Sequence, residues 1–102
     1  MENEITFDFD YISDYDEFYS ALKRKFDLPD WFGNNLDAFY DFISGELKLP
    51  CHLKLINLNP EQIEEFEDLF EMLEDAENEI SGFSFSYYME QFNNFEEDEY
   101  SD

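Results

Sequence analysis

Three short segments of the chain alternate apolar and polar residues, which is the pattern of a β-strand with one buried face. The first covers residues 5–9 and the last covers residues 83–87. The middle segment, residues 51–56, follows Pro50 and is more apolar, which favours a central position in a small sheet. The pattern therefore predicts three strands.

Apolar residues at helical spacing predict three helices between these strands. The first follows a loose capping box of Ser13 and Asp16 and ends before Pro29. The second covers residues 36–44 and stops at Gly45. The third begins at residues 59–60, with Asn as cap and Pro in the first helical position, and continues to a break at residues 81–82. Its expected buried stripe consists of Ile63, Phe66, Phe70, Leu73 and Ala76.

Strands that alternate with helices predict an α/β fold, a small parallel sheet covered on one side by helices. The 102 residues are enough for one core. We expect one domain over residues 1–89. Residues 90–102 lack such a pattern and are rich in Glu and Asp, so we expect an acidic C-terminal tail there.

Charge is the most unusual property of the sequence. Twenty-eight Asp and Glu residues oppose five Lys and Arg, for a formal net charge of -23, and no cation follows Lys54. Direct binding to nucleic acid is excluded by charge repulsion. The excess can serve solubility, rejection of nucleic acid or attraction of a basic partner, and composition alone leaves these interpretations open.

The cysteine count and the N-terminus bear on the compartment. Cys51 is the only cysteine, so the chain forms no internal disulfide, which fits a reducing environment. The first residues are acidic and lead into no apolar stretch long enough for a signal peptide or a membrane span. We expect a cytoplasmic protein that does not bind membranes.

Few residues in the sequence suit catalysis, and we expect a protein that is not an enzyme. His52 has no Cys or acidic residue at metal-ligand spacing, so we interpret it as a buried or edge histidine. Asp8 and Asp10 follow the pattern of phosphatases that use an aspartyl-phosphate intermediate, but a solvent-facing strand edge explains both. No calcium-loop spacing and no glycine-rich phosphate loop is present, so we expect no metal and no cofactor.

The strongest candidate site combines the loop at residues 28–35 with the helix that follows it. Asp37 and Asp41 are spaced i and i+4 and therefore share one helical face beside the aromatic loop. Aromatic anchors next to two carboxylates suit a cationic cleft, since carboxylates pair with arginine in a forked geometry. The alternative is that Trp31, Phe32 and Tyr40 belong to the core and the aspartates form a solvated face, and the pattern alone does not decide.

The order of residues over 28–41, LPDWFGNNLDAFYD, resembles the loop and second helix of the barstar family of ribonuclease inhibitors. The similarity extends over about residues 5–88. It implies a barstar-like two-layer fold, a three-stranded parallel sheet with helices packed on one face. Two aromatic positions depart from the family's pattern: Trp31 stands where tyrosine is familiar and Tyr40 where tryptophan is.

The resemblance also implies roles for individual residues. Asp41 matches the helical aspartate that occupies the site of the substrate phosphate. Trp31 matches the loop aromatic that stacks on the catalytic histidine of the ribonuclease, and Asp75 falls where the family has a glutamate of a second contact patch. The full set of expected partner-binding residues is Trp31, Gly33, Asn35, Asp37, Tyr40, Asp41, Ser44, Gly45 and Asp75.

We therefore expect an immunity protein that occludes a basic ribonuclease toxin in a 1:1 complex and is a monomer when free. The toxin is either barnase-like or a domain of a toxin delivered between bacteria. The alternative hypothesis is an acidic nucleic-acid mimic or charge-based module for a basic partner, because ten acidic residues lie between residues 61 and 79.

Overall fold

The computed structural model of the protein describes residues 3–90. This part of the chain forms three strands and four helices, with two helices between each pair of successive strands. In chain order they are β1 (Asn3–Asp8), α1 (Tyr15–Phe26), α2 (Leu36–Gly45), β2 (Cys51–Leu58), α3 (Pro60–Glu65), α4 (Glu67–Glu79) and β3 (Phe83–Met89).

The strands form one parallel sheet in the order β1-β2-β3, with β2 in the centre. Alternate residues of β2 are buried beneath the helices: Cys51, Leu53 and Leu55. The residues between them lie on the opposite face and are only half-buried, and there the two ring nitrogens of His52 lie 2.7 and 2.8 Å from the hydroxyls of Ser84 and Ser86. The predicted three-stranded parallel sheet with helices on one face is confirmed.

Aromatic rings make up much of the core between the sheet and the helices. Phe18 of α1 contacts Phe7 of β1, with ring centroids 5.2 Å apart. Phe66, fully buried, packs edge-on against Phe9 with ring centroids 5.1 Å apart and contacts the tilted ring of Tyr15 at 4.7 Å. Such offset and edge-to-face contacts add to the stabilisation from apolar burial.

The N-cap of the first helix lies one residue later than predicted. Asp14 is the N-cap, and its carboxylate accepts the backbone N–H of Glu17 at 2.9 Å. Glu17 in turn accepts the N–H and the hydroxyl of Ser13, at 2.7 and 2.6 Å. Ser13 therefore takes part in the reciprocal capping network but is not the N-cap, and the expected box with Asp16 is wrong.

The predicted single helix after β2 is two helices, α3 and α4, which meet at Phe66. The backbone of Phe66 leaves the helical region at φ -100° and ψ 23°. Phe66 itself is buried in the core, and the buried residues of α4 are Leu69, Leu73 and Ala76, which continue the helical spacing from Phe66. Phe70, expected on that stripe, is instead half-buried and contacts Tyr87 of β3.

Gln62 is a buried polar side chain, and both the oxygen and the nitrogen of its amide make hydrogen bonds. Its Oε1 accepts the N–H of Asn59 at 3.0 Å, and Asn59 Oδ1 accepts the Gln62 N–H, so the predicted Asn cap is confirmed as one half of a capping box. Its Nε2 donates to the carbonyls of Phe9 and Ile12, at 2.9 and 2.8 Å. One side chain therefore joins the start of α3 to the segment between β1 and α1.

The predicted break before the last strand is present at Gly82, which has a φ of +93° that favours glycine. The predicted acidic tail, residues 90–102, lies outside the described residues except for Glu90. The backbone N–H of Glu90 donates to the carbonyl of Leu58 at 2.8 Å.

Candidate partner-binding site

A tight turn between α1 and α2 gives its two aromatic residues different environments. The N–H of Phe32 donates to the carbonyl of Pro29 at 3.0 Å, which closes the turn and places Trp31 near its tip. Phe32 points inward and meets Phe42 of α2 edge-on at 6.3 Å. The Trp31 side chain is 85% exposed. The interpretation of Trp31 as a core residue is therefore wrong, whereas Phe32 anchors the loop.

Gly33 and Asn35 join this turn to α2. Asn35 is the N-cap, and its side-chain oxygen accepts the N–H of Ala38 at 2.7 Å. A Cβ added to Gly33 would lie 3.0 Å from Asn35 Nδ2 and 3.3 Å from the Ala38 methyl group. The absence of a side chain at Gly33 thus lets the loop pass close to the cap.

Helix α2 presents both predicted aspartates to solvent. Asp37 lies in its first turn and Asp41 one turn later, and both are exposed. Among residues 3–90 neither carboxylate makes a hydrogen bond or an ion pair. The Ser44 hydroxyl donates to the backbone carbonyl of Asp41 at 3.2 Å, and a Cβ on Gly45 would meet no atom of the described residues within 4 Å. This face of α2 is open to a partner.

Tyr40 connects α2 to the end of α4. Its hydroxyl donates to the carboxylate of Glu79, and this hydrogen bond is the main cause that raises the Tyr40 pKa. Desolvation and the negative charges of Glu79 and Asp75 raise the pKa further. Asp75 lies one helical turn before Glu79 on α4, which places it near Tyr40 and beside α2.

The loop and α2 together line one surface depression of about 260 Å³. Trp31 and Gly33 border it from the loop, and Asp41 borders it from the helix. Its apolar lining includes Pro29 and Phe42. An exposed indole and an unpaired carboxylate therefore share one concave surface, although they come from different elements.

The chain matches the family model described as Barstar (barnase inhibitor) over residues 2–93. The chain belongs to the barstar family. It is also 35% identical over 65 residues to the "Putative ribonuclease inhibitor YrdF" of Bacillus subtilis (strain 168). The aligned region covers 61% of this chain and 71% of that relative. Both findings support a ribonuclease-inhibitor role for this barstar-family chain.

Two acidic residues of the site were absent from the sequence prediction. Glu79 accepts the hydrogen bond of Tyr40, and Glu46 borders the same depression as Asp41. Glu79 follows Asp75 at i+4, so helical spacing could have indicated it once Asp75 was chosen. No sequence signal distinguishes Glu46 from the other exposed acids of this barstar-family chain.

The residues considered for catalysis have structural partners. One carboxylate oxygen of Asp8 accepts Asn57 Nδ2 at 2.9 Å and the N–H of Asp10 at 3.0 Å. Within residues 3–90, no group of three or more His, Cys, Asp or Glu side chains could hold a metal ion. No helix in that range is long and apolar enough to cross a membrane.

Proposed function

We propose that the protein inhibits a ribonuclease by filling its active-site cleft with the Trp31 loop and helix α2. The observation that supports this most directly is the shared depression, which joins the exposed Trp31 to Asp41, whose carboxylate has no partner among residues 3–90. A ribonuclease cleft carries cationic donors for the RNA phosphates. A carboxylate on a rigid helix satisfies such donors through charge-assisted hydrogen bonds, and it offers no bond to cleave.

In this proposal Asp41 occupies the position of the substrate phosphate, and the Trp31 ring covers a catalytic side chain of the enzyme. Asp37, Ser44 and Gly45 extend the contact along α2. Asp75, near Tyr40, supplies a second acidic patch. One inhibitor binds one ribonuclease, as a cytoplasmic immunity protein against a toxin that would otherwise act on the cell's own RNA.

The overall negative charge should raise the rate of association with a basic ribonuclease. A net charge of -23 attracts a basic enzyme at distances comparable to the Debye length, about 8 Å at physiological salt. Such steering raises association rates by roughly 10- to 1,000-fold at low ionic strength. Charge alone does not position a carboxylate in the cleft, so affinity depends on Asp41 more than on acids elsewhere.

The test is cleavage of a fluorogenic RNA by a barnase-type ribonuclease, titrated with this protein. We expect stoichiometric inhibition. Asp41→Ala should weaken it, because breaking a desolvated ion pair costs about 3–5 kcal/mol, or on the order of 10² to 10⁴ in affinity. Since Asp41 is exposed and its carboxylate is unpaired within residues 3–90, folding should change by about 0.5 kcal/mol or less.

Asp16→Ala is the matched control, because it removes the same charge from an exposed position at the far end of α1 from the loop. We expect it to inhibit like the unmodified chain. Equal loss in both variants, with a larger loss on deletion of residues 90–102, would instead support the charge-based binding module. If a barnase-type enzyme is not inhibited, the titration is repeated with the product of the adjacent gene.

A further inference from the structure

A second exposed surface with an apolar floor lies on the β3 side of α4, whereas Asp75 and Glu79 face α2. We call it the β3 groove. Its volume is about 220 Å³. The apolar residues that line it are Ile63, Phe70, Phe85 and Tyr87. The rings of Phe70 and Tyr87 lie 5.0 Å apart, and Tyr87 is 52% exposed.

The rim of the β3 groove is anionic. Glu67, Glu71 and Glu74 border it from α4, and their spacing places all three on one side of the helix. They lie in the part of the sequence that has no cation after Lys54. An occupant must therefore offer positive charge at the rim and apolar side chains for the floor.

The groove runs beside an edge strand, because within residues 3–90 β3 pairs on one side only, with β2. The outward N–H of Phe85 donates to the Glu77 carboxylate at 3.2 Å, which closes the first part of this edge. Strand alternation directs the N–H of Tyr87 to the same edge. The last two strand residues, Tyr88 and Met89, are exposed. This end of β3 can accept a further strand.

We propose that the β3 groove binds an extended basic segment of a partner protein, which adds as a strand to the Tyr87 end of β3. In an added strand, residues i, i+2 and i+4 point to one face, so the apolar residues that reach the floor and the Lys or Arg residues that meet the glutamates must both lie on the face toward α4. A second copy of the chain is disfavoured by the net charge of -23. Residues 91–102 are disfavoured because they contain five acidic residues and no cation. The site is separate from α2 and does not depend on ribonuclease inhibition.

The experiment is a fluorescence-anisotropy titration of the full chain into a labelled octapeptide at 150 mM salt, with Thr at the odd positions and with Val and Lys in turn at the even positions, so that Val and Lys share one face. We expect saturable binding, with the largest amide NMR shifts at Tyr87 and Met89. Tyr87→Ser should weaken binding about tenfold, the effect of removing one buried aromatic contact. Tyr11→Ser is the control because Tyr11 is exposed and does not line the groove. Equal affinity in both variants would overturn the proposal.

A paired charge comparison keeps the test decisive if Tyr87→Ser does not fold. Two double variants are compared, and each removes two negative charges. The variant with Glu71→Gln and Glu74→Gln should weaken peptide binding several-fold more than the variant with Glu64→Gln and Glu65→Gln. Equal weakening would mean general charge attraction and would refute the site. A dimer dependent on Tyr87, seen by sedimentation, would also refute it, because the occupant would be a second copy.

Discussion

Replacing Gln62 by Leu would measure how much one buried amide contributes to holding the fold together. The variant leaves the carbonyls of Phe9 and Ile12 without their Nε2 donor, and both residues are almost fully buried. A buried carbonyl without a partner costs about 1–3 kcal/mol. The bond from Asn59 N–H to Gln62 Oε1 is also lost, at about 1 kcal/mol.

Added apolar burial of the Leu side chain offsets part of this, so we expect a net loss of about 3 kcal/mol in the free energy of unfolding. For a domain of about 100 residues each 1 kcal/mol shifts Tm by roughly 4–8 °C, which predicts a fall of roughly 12–24 °C. Thermal and urea unfolding followed by far-ultraviolet circular dichroism would measure it.

Two further variants make the assay specific. Gln62→Glu keeps an acceptor for the Asn59 N–H but turns a carboxylate toward two carbonyls, so it should be less stable than Gln62→Leu. Glu64→Leu, at an exposed position of the same helix, should change stability by about 0.5 kcal/mol or less. A loss of less than 1 kcal/mol in Gln62→Leu would show that the hydrogen bonds do not hold the β1–α1 segment.

Three other predictions concern the site and the pH range. In Gly33→Ala the new Cβ would press on Asn35, the N-cap of α2. The variant should lose about 1 kcal/mol in the free energy of unfolding, the usual effect of a lost N-cap, and should inhibit more weakly. Unchanged unfolding and inhibition would contradict this. Burial raises the pKa of Tyr19 to about 12, so its contribution to stability is complete below pH 10 and is lost as pH rises toward 12. The Tm of Tyr19→Phe should therefore decline less steeply between pH 9 and 11.5 than the Tm of the unmodified chain. Equal declines in the two proteins would show that ionisation of Tyr19 does not cause the loss of stability. Raising salt from 50 to 500 mM should slow association with the ribonuclease by about tenfold or more in stopped-flow experiments and leave dissociation nearly unchanged; an association rate independent of salt would rule out steering.

The sheet and the first two helices could be predicted because their patterns are local. Alternation over 5–9, 51–56 and 83–87 requires only that one face be buried. The break between α3 and α4 could not be predicted in this way. Phe66 continues the helical spacing from Gln62, and both Leu69 and Phe70 fit the next position of the stripe. The packing of Phe66 against Phe9 and Tyr15, which are distant in sequence, decides between them.

The candidate site was predicted in part for a similar reason. The motif at 28–41 indicated Trp31 and Asp41, but pattern could not tell an exposed indole from a core one, because both require an aromatic residue in a short loop. The turn closed by Phe32 and Pro29 decides this. The pairing of Tyr40 with Glu79 joins residues 39 positions apart and depends on how α4 packs beside α2.

The position of Trp31 makes intrinsic tryptophan fluorescence a reporter of partner binding. It is the only tryptophan in the sequence, and its ring is 85% exposed at the tip of a loop. Its emission maximum should therefore be that of a hydrated indole in both the folded and the unfolded chain. Thermal unfolding should accordingly change the wavelength of tryptophan emission very little. Docking of the loop in a protein cleft would remove water from the ring and shift the emission to shorter wavelength. Tryptophan fluorescence thus reports association without a label, while folding must be followed by circular dichroism.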